Sequence, residues 1–178
     1  MNQGKNFTIV GAGLVGSLLA IYLSKRGYNV TVYERRPDMR RNIMSAGRSI
    51  NLALSDRGWK GLDGVGISDE VRKIGIAMKG REIHNLDGTI AFQPYGKGHQ
   101  ANYSVSRGGL NCLLMDLAEK EGAKINFDER CTHVDLKTAA AVFENTHTKR
   151  NSTVTSDRIF GTDGNFSASR LAIQLGTD

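Results

Sequence analysis

Cysteine is scarce: the 178 residues hold only Cys112 and Cys131, far apart, with no CxxC pair and no histidine pair at metal-ligand spacing. Neither a disulfide framework nor a metal site is expected, and both read as buried free thiols. Long apolar runs are lacking too. Nothing reaches the roughly 18 residues that a transmembrane helix needs. The opening MNQGKNFTIVGAG has no basic segment followed by a cleavable apolar stretch, so a cytoplasmic chain with no membrane segment is expected. Internal repeats and low-complexity stretches are absent. His84 and His99 have no cysteine or serine nucleophile at a suggestive position, and His133 and His147 fall in weakly patterned sequence. No acid–base, nucleophilic or other catalytic residue is therefore assigned.

What is present describes a folded domain. Hydrophobic residues at 39% and charged residues at 24% argue against disorder, and 21 glycines call for many tight turns. A length of 178 residues suits one domain with its own core, residues 1–178 throughout. The 24 Lys and Arg against 18 Asp and Glu leave a charge of +6, which raises the question of nucleic acid. Its distribution answers no: the one dense block, Arg35, Arg36, Arg40, Arg41 and Arg48, follows a strand end, and no basic helix face or RNA-binding signature accompanies it.

Along the chain, Phe7–Val10 reads as a strand, Leu18 to Leu23 as the apolar face of a helix ending at Gly27, and Tyr28–Tyr33 as a second strand: a βαβ unit. Ile50–Leu54 is extended, Ser55-Asp56 caps a helix, and short helices fall around 56–64 and 69–74. Met78–Tyr95 reads as a hairpin turning at Asp87-Gly88. Tyr103–Ser106 is a brief strand, and Leu110, Leu113, Leu114, Leu117 and Ala118 define a helix over 108–121 that stops at Gly122. A strand at 123–127, an antiparallel meander over 130–156 on the edge of the main sheet, a buried strand at 157–161 and a helix over 166–175 complete the chain. Trp59, on a short helix, reads as a packing residue.

GAGLVG (11–16) places Gly11 at a tight turn, Gly13 where backbone approaches a pyrophosphate, and Gly16 where helix meets strand. The helix N-terminus then presents free N–H groups to phosphate. A lone GxGxxG is weak evidence, but this one follows a strand, opens a helix and precedes Glu34 by 23 residues from Gly11. A carboxylate there accepts the adenosine ribose hydroxyls and repels a 2′-phosphate, which leaves FAD or NAD.

At the other end, RIFGTDGNFSASR (158–170) resembles the second fingerprint of flavoprotein hydroxylases, departing from its strictest form at Phe166 and Ser169. A plainer alternative is a strand-to-helix turn with Asp163 as N-cap. Between the two lie GRSINLALSDRGWKGLDGVG (47–66), GREIHNLDG (80–88), QPYGKG (93–98) and YSVSRGGLN (103–111). These blocks resemble the flavin-dependent aromatic-ring hydroxylases, in particular their kynurenine-hydroxylating branch. The resemblance runs from Phe7 to Arg170 and is thinnest across 130–156.

That resemblance implies an α/β fold: an FAD-binding Rossmann-like βαβ domain with a parallel sheet, a small antiparallel meander and the start of a substrate-binding hairpin at about 78–95. It implies FAD as cofactor, NADPH as co-substrate, molecular oxygen, and hydroxylation of L-kynurenine at C3. To the fingerprint residues Gly11, Gly13, Gly16 and Glu34 it adds Val15, Arg35, Ala53 and Arg107 as FAD contacts, together with Cys131, Asp163 and Gly164. Arg81 and Tyr95 would bind the substrate carboxylate, a guanidinium fork beside a hydroxyl donor. The plainer reading is a surface Arg and a packed Tyr. A two-residue Asp87-Gly88 loop sets Arg81 opposite Pro94 and turns Tyr95 to the other face, so a bulge near Pro94 is required. The family also leads to the expectation of a further substrate domain beyond residue 178, without which the chain is inactive. Rivals are another oxidoreductase of the same fold or a non-catalytic module holding FAD or ADP.

Overall fold

A computed structural model describes residues 4–41, 50–96 and 101–176. Arg48 and His99, and the block residues 47–49 and 97–98, lie outside them. The chain divides into two compact units, Met1–Ser45 with Asn111–Asp178, and Ala46–Leu110.

The first unit is built on a parallel sheet of β1 (Asn6–Val10), β2 (Asn29–Tyr33), β8 (Lys124–Asn126) and β12 (Arg158–Gly161), in the order β12-β1-β2-β8. β1 lies between two partners, in register Phe7 to Arg158 and Asn6 to Asn29. As an inner parallel strand it is buried on both faces, so Phe7, Thr8, Ile9 and Val10 are all inside. α1 (Leu14–Ser24) links β1 to β2 and buries Gly16, Ser17, Ala20 and Ile21. Gly27, at φ +80°, stops it: the N–H of Tyr28 donates to the Leu23 carbonyl at 3.3 Å and that of Gly27 to Ser24 at 2.9 Å. This left-handed closure is the termination expected of a glycine here.

The meander forms, but as a separate sheet of β9 (Glu129–Asp135), β10 (Ala140–Asn145) and β11 (Asn151–Thr155) rather than added strands of the parallel one. Side-chain packing joins the two. Phe143 is fully buried and stacks on Tyr33 with centroids 4.1 Å apart, within a cluster that includes Val10, Val134 and Ala141. Burying a phenylalanine of this kind contributes about 2 to 3 kcal/mol. α5 (Ala168–Leu175) follows β12, its N-cap being Ser167, whose hydroxyl accepts the Arg170 N–H at 2.9 Å. Asp163 is therefore not the cap.

In the second unit β3 (Asn51–Leu54), β4 (Ile76–Met78) and β7 (Asn102–Ser106) form an antiparallel sheet in the order β3-β7-β4. β4 was not anticipated as a separate strand. α2 (Asp56–Asp63) and α3 (Ser68–Ile74) bury Leu62 and Val71, and Val65, Ile67 and Val105 of this unit are buried too. Ser55 holds the N-cap position of α2 by backbone geometry, without a side-chain hydrogen bond. Trp59 meets Tyr103 edge-on at 5.1 Å, with the Arg72 guanidinium 4.4 Å from its ring centre, so its faces are used in packing. α4 (Arg107–Lys120) has its first turn in this unit and the remainder in the first.

β5 (Gly80–His84) and β6 (Ile90–Pro94) make the hairpin, but its loop has three residues, not two. Asn85 N–H donates to the Thr89 carbonyl at 2.9 Å and Gly88 N–H to Asn85 at 3.0 Å, with Gly88 at φ +85°. This is the three-residue turn ending in a left-handed glycine. The register shifts by one, and Arg81 faces Gln93.

Candidate functional site

The two ends of the chain meet at one turn. Gly11 leaves β1 with φ +98°, a region that favours glycine, and a Cβ there would come within 2.8 Å of the Thr162 carbonyl. A Cβ on Gly16 would collide with the Gly11 carbonyl and come within 2.6 Å of Thr162 Oγ1. Thr162 shares its hydroxyl proton between the carbonyls of Val10 and Gly11, at 2.8 and 2.9 Å. The first and third fingerprint glycines thus answer to packing. Gly13 does not: a Cβ there would meet none of the described residues within 4 Å. As the N-cap residue of α1 it brings no side-chain cap, and Val15 in the first turn is largely exposed.

Glu34 follows β2 and is buried. Backbone bonds hold it: its N–H donates to Asn126 at 2.8 Å and its carbonyl accepts from Glu129 at 2.9 Å. Its carboxylate takes the N–H of Ala12 at 2.8 Å, and the N–H and Nε of Arg36 at 3.0 and 2.8 Å. Burial disfavours its charge, but the Arg36 hydrogen bonds and charge and the Ala12 N–H outweigh that and hold its pKa below the ordinary carboxylate range.

Among the described residues of the basic block, Arg36 and Arg40 are tied up by carboxylates. Arg36 serves Glu34. Arg40 reaches Asp38 and Asp116 at 2.8 Å each and Glu119 at 2.5 Å, its guanidinium 5.5 Å from the Phe127 ring centre. Hydrogen bonding to Arg40 outweighs burial and lowers the Asp38 pKa. Arg35 is exposed beside them.

On the far side of the turn, Asp163 Oδ1 accepts the Ser167 hydroxyl at 2.6 Å and Oδ2 the Ser169 N–H at 3.3 Å, while Gly164 adopts φ +81° at the surface. Ser169, where the motif departs from its strict form, is buried against Gly161. Cys131 is half-buried, its thiol donating to the His133 carbonyl at 3.6 Å. Burial and the Asp163 charge push its pKa up to about 11. Gly11, Gly16, Glu34 and Asp163 are therefore gathered around one turn, with Cys131 on the adjoining meander.

The remaining site candidates lie in the second unit. Ala53 is exposed on β3 opposite Ser104. Arg107 follows β7, exposed, its N–H donated to the Ile50 carbonyl at 3.2 Å. Arg81 donates through Nε to Gln93 Oε1 at 2.8 Å. The ladder continues one pair further, Tyr95 N–H to Lys79 carbonyl at 3.0 Å. In this register Arg81, Gln93 and Tyr95 fall on one face of the hairpin. The predicted obstacle disappears, and no bulge is required.

One residue went unnoticed in the sequence. Asn111 of α4 is buried and donates through Nδ2 to the Ala12 carbonyl at 3.1 Å. Its signal was a polar side chain on the same stripe as Leu114, Met115 and Ala118, all buried. Among the described residues no cluster of His, Cys, Asp and Glu could hold a metal ion, and no helix is long and apolar enough to cross a membrane.

Residues 6–177 match the FAD binding domain family, to which the chain belongs. Within it the chain is similar to kynurenine 3-monooxygenase. It is 47% identical over 174 residues to that protein of Flavobacterium psychrophilum, covering 98% of this chain and 38% of the relative. To that of Myxococcus xanthus it is 46% identical over 173 residues, covering 96% and 37%. The chain thus spans less than two-fifths of the length of these curated relatives. Among solved structures it resembles the flavin-dependent monooxygenase PieE, in complex with FAD and substrate, at TM-score 0.76 and 20% identity, covering 96% of this chain and 32% of that one. It also resembles the tetrameric form of 2-methyl-3-hydroxypyridine-5-carboxylic acid oxygenase, at TM-score 0.74 and 21% identity, covering 97% and 43%. These structural likenesses bear on the fold.

Proposed function

We propose that this chain is the FAD-binding part of a flavin-dependent monooxygenase that hydroxylates L-kynurenine to 3-hydroxykynurenine with NADPH and molecular oxygen, in the cytoplasm. The observation that carries the reading is the identity of about 46% to kynurenine 3-monooxygenases over nearly the whole chain. The geometry suits it. Gly13 leaves open space at an uncapped helix N-terminus, where backbone N–H groups and the helix dipole favour a pyrophosphate. Gly11, Val15, Gly16, Arg35, Asp163 and Gly164 would shape that cradle, with Ala53, Arg107 and Cys131 as further contacts. Glu34 would accept the ribose hydroxyls by exchanging part of its present hydrogen bonding. Flavin, when bound, supplies the oxygen-activating redox chemistry, and the chain's part is to bind and orient it.

Arg81 and Tyr95, on one face of the hairpin, would take the amino-acid carboxylate of the substrate. The 178 residues are read as one FAD-binding domain whose hairpin belongs to the substrate side. Alone they should bind FAD but not hydroxylate, since productive reaction needs water excluded from the flavin. The test has two arms. The purified chain should turn yellow with FAD and release it to excess ADP. A protein of the relatives' full length carrying this segment should oxidise NADPH faster with kynurenine and form 3-hydroxykynurenine. Absence of FAD binding in both proteins would reject the cofactor assignment, and FAD binding without a response to kynurenine would reject the substrate.

A further inference from the structure

The backbone on either side of Ala12 is held by three side chains, two of them far away in sequence. Glu34 takes the Ala12 N–H at 2.8 Å. The Ala12 carbonyl receives the Ser17 hydroxyl at 3.2 Å and Asn111 Nδ2 at 3.1 Å. Asn111 and Ser17 are both buried, and Asn111 lies 99 residues away on α4. Its amide orientation follows from the contacts. Nδ2 also faces Met39 Sδ at 3.3 Å, while Oδ1 finds no partner among the described residues. Flipping the amide would set its oxygen against the Ala12 carbonyl. A buried amide with an unmatched oxygen costs the core more than an apolar side chain of the same size, so its presence here calls for a reason.

The peptide plane supplies one. In a trans peptide the C=O of one residue and the N–H of the next point in opposite directions. Two donors drawing the Ala12 carbonyl inward therefore turn the Gly13 N–H outward, toward the side on which a Cβ at Gly13 would meet no atom of the described residues within 4 Å. Building on the dinucleotide assignment above, we infer that Asn111, with Ser17, is a positioning residue that aims the Gly13 N–H at the cofactor pyrophosphate. Asn111 need not touch the cofactor to do this. It acts through the Ala12 carbonyl.

The test compares the 178-residue chain with Asn111→Asp, Asn111→Leu and Ser17→Ala. Each is titrated with FAD by flavin fluorescence, and with ADP and adenosine by backbone amide resonances. In the parent, ADP should shift the Gly13 amide proton downfield. Loss of the Asn111 donor should weaken FAD and ADP binding by about tenfold, the effect of one hydrogen bond, and abolish that shift. Adenosine, which has no phosphate, should bind all proteins alike. Retained FAD and ADP affinity with the Gly13 shift intact in both Asn111 variants would overturn the inference. Equal losses for ADP and adenosine would also overturn it, because general damage to the fold weakens both. If the Asn111 variants fail to fold, Ser17→Ala removes the second donor to the same carbonyl and decides the matter by the same comparison. A parent that binds neither FAD nor ADP overturns the cofactor reading and this inference together, whereas a binding parent with unaffected variants overturns this inference alone.

Discussion

The carboxylate of Glu34 lies 2.8 Å from the amide nitrogen of Ala12 and binds the glycine turn to the end of β2. The same carboxylate is held below the ordinary glutamate value of 4.5. A folded-state pKa that is depressed stabilises the fold above the unfolded value, and that contribution drains away as pH falls through the folded one. Glu34→Gln should therefore lower stability at neutral pH by about 1 to 3 kcal/mol. It should also flatten the loss of stability on acidification below pH 4.5. Urea unfolding at pH 7 and at successively lower pH measures both. An unchanged acid limb in Glu34→Gln would show that this carboxylate does not sense the fold.

Arg40 concentrates three carboxylates on one guanidinium, and removing it leaves Asp38, only 8% exposed, without its main partner. Arg40→Met should cost about 1.5 to 3 kcal/mol. For a chain of this size that is a melting-temperature drop on the order of 5 °C. Arg41, at 3.6 Å from the same Asp38 and 86% exposed, is the control. Arg41→Met should change stability by less than about 0.5 kcal/mol. Equal effects of the two substitutions in thermal unfolding would contradict the ranking.

The glycines of the turn separate stability from binding. Gly11→Ala must place a Cβ 2.8 Å from the Thr162 carbonyl at a positive φ, so it should destabilise the fold by at least about 2 kcal/mol. Gly13→Ala meets open space and should cost less than about 1 kcal/mol. Its methyl group would instead stand where backbone is proposed to approach the pyrophosphate, so FAD affinity should fall. Calorimetry paired with FAD titration checks the contrast, and a Gly13→Ala protein that binds FAD normally would remove Gly13 from the cradle.

Much of this arrangement was legible because it is local. The run Phe7–Val10, the glycine turn, the helix face and the Gly27 stop lie within one βαβ unit, and each is set by neighbours a few residues away. The hairpin was legible as an element but not in its register. Asp87-Gly88 read as a two-residue loop, whereas Asn85 and Thr89 close around three residues with Gly88 left-handed. A single residue of loop length decides which side chains share a face. β4 escaped notice because three residues show no alternation. The separate sheet of the meander, the Arg40 hub and Asn111 depend on tertiary packing and partners up to 99 residues distant, which periodicity does not encode.

The register bears on the role proposed for Arg81. Nε is already bonded to Gln93 on the face that also carries Tyr95, so the proposed substrate carboxylate would be met by the terminal guanidinium nitrogens. In a protein of the relatives' full length, Arg81→Ala should weaken kynurenine binding by about 10- to 150-fold, the equivalent of about 1.5 to 3 kcal/mol. Equilibrium titration with kynurenine measures it, and an unchanged Kd would return Arg81 to the ordinary surface.

β1 is the first and β12 the last of the described strands of this chain, yet they are neighbours in one sheet, and Gly11 rests on Thr162. On the ribosome, the residues that begin the nucleotide turn must wait while some 150 more are synthesised before the strand beneath them exists. Early in translation the apolar β1 can pair on only one side, with β2. A nascent chain halted before Arg158 should therefore expose β1 to chaperones, and the glycine loop should acquire protease resistance late and abruptly as the closing strand emerges.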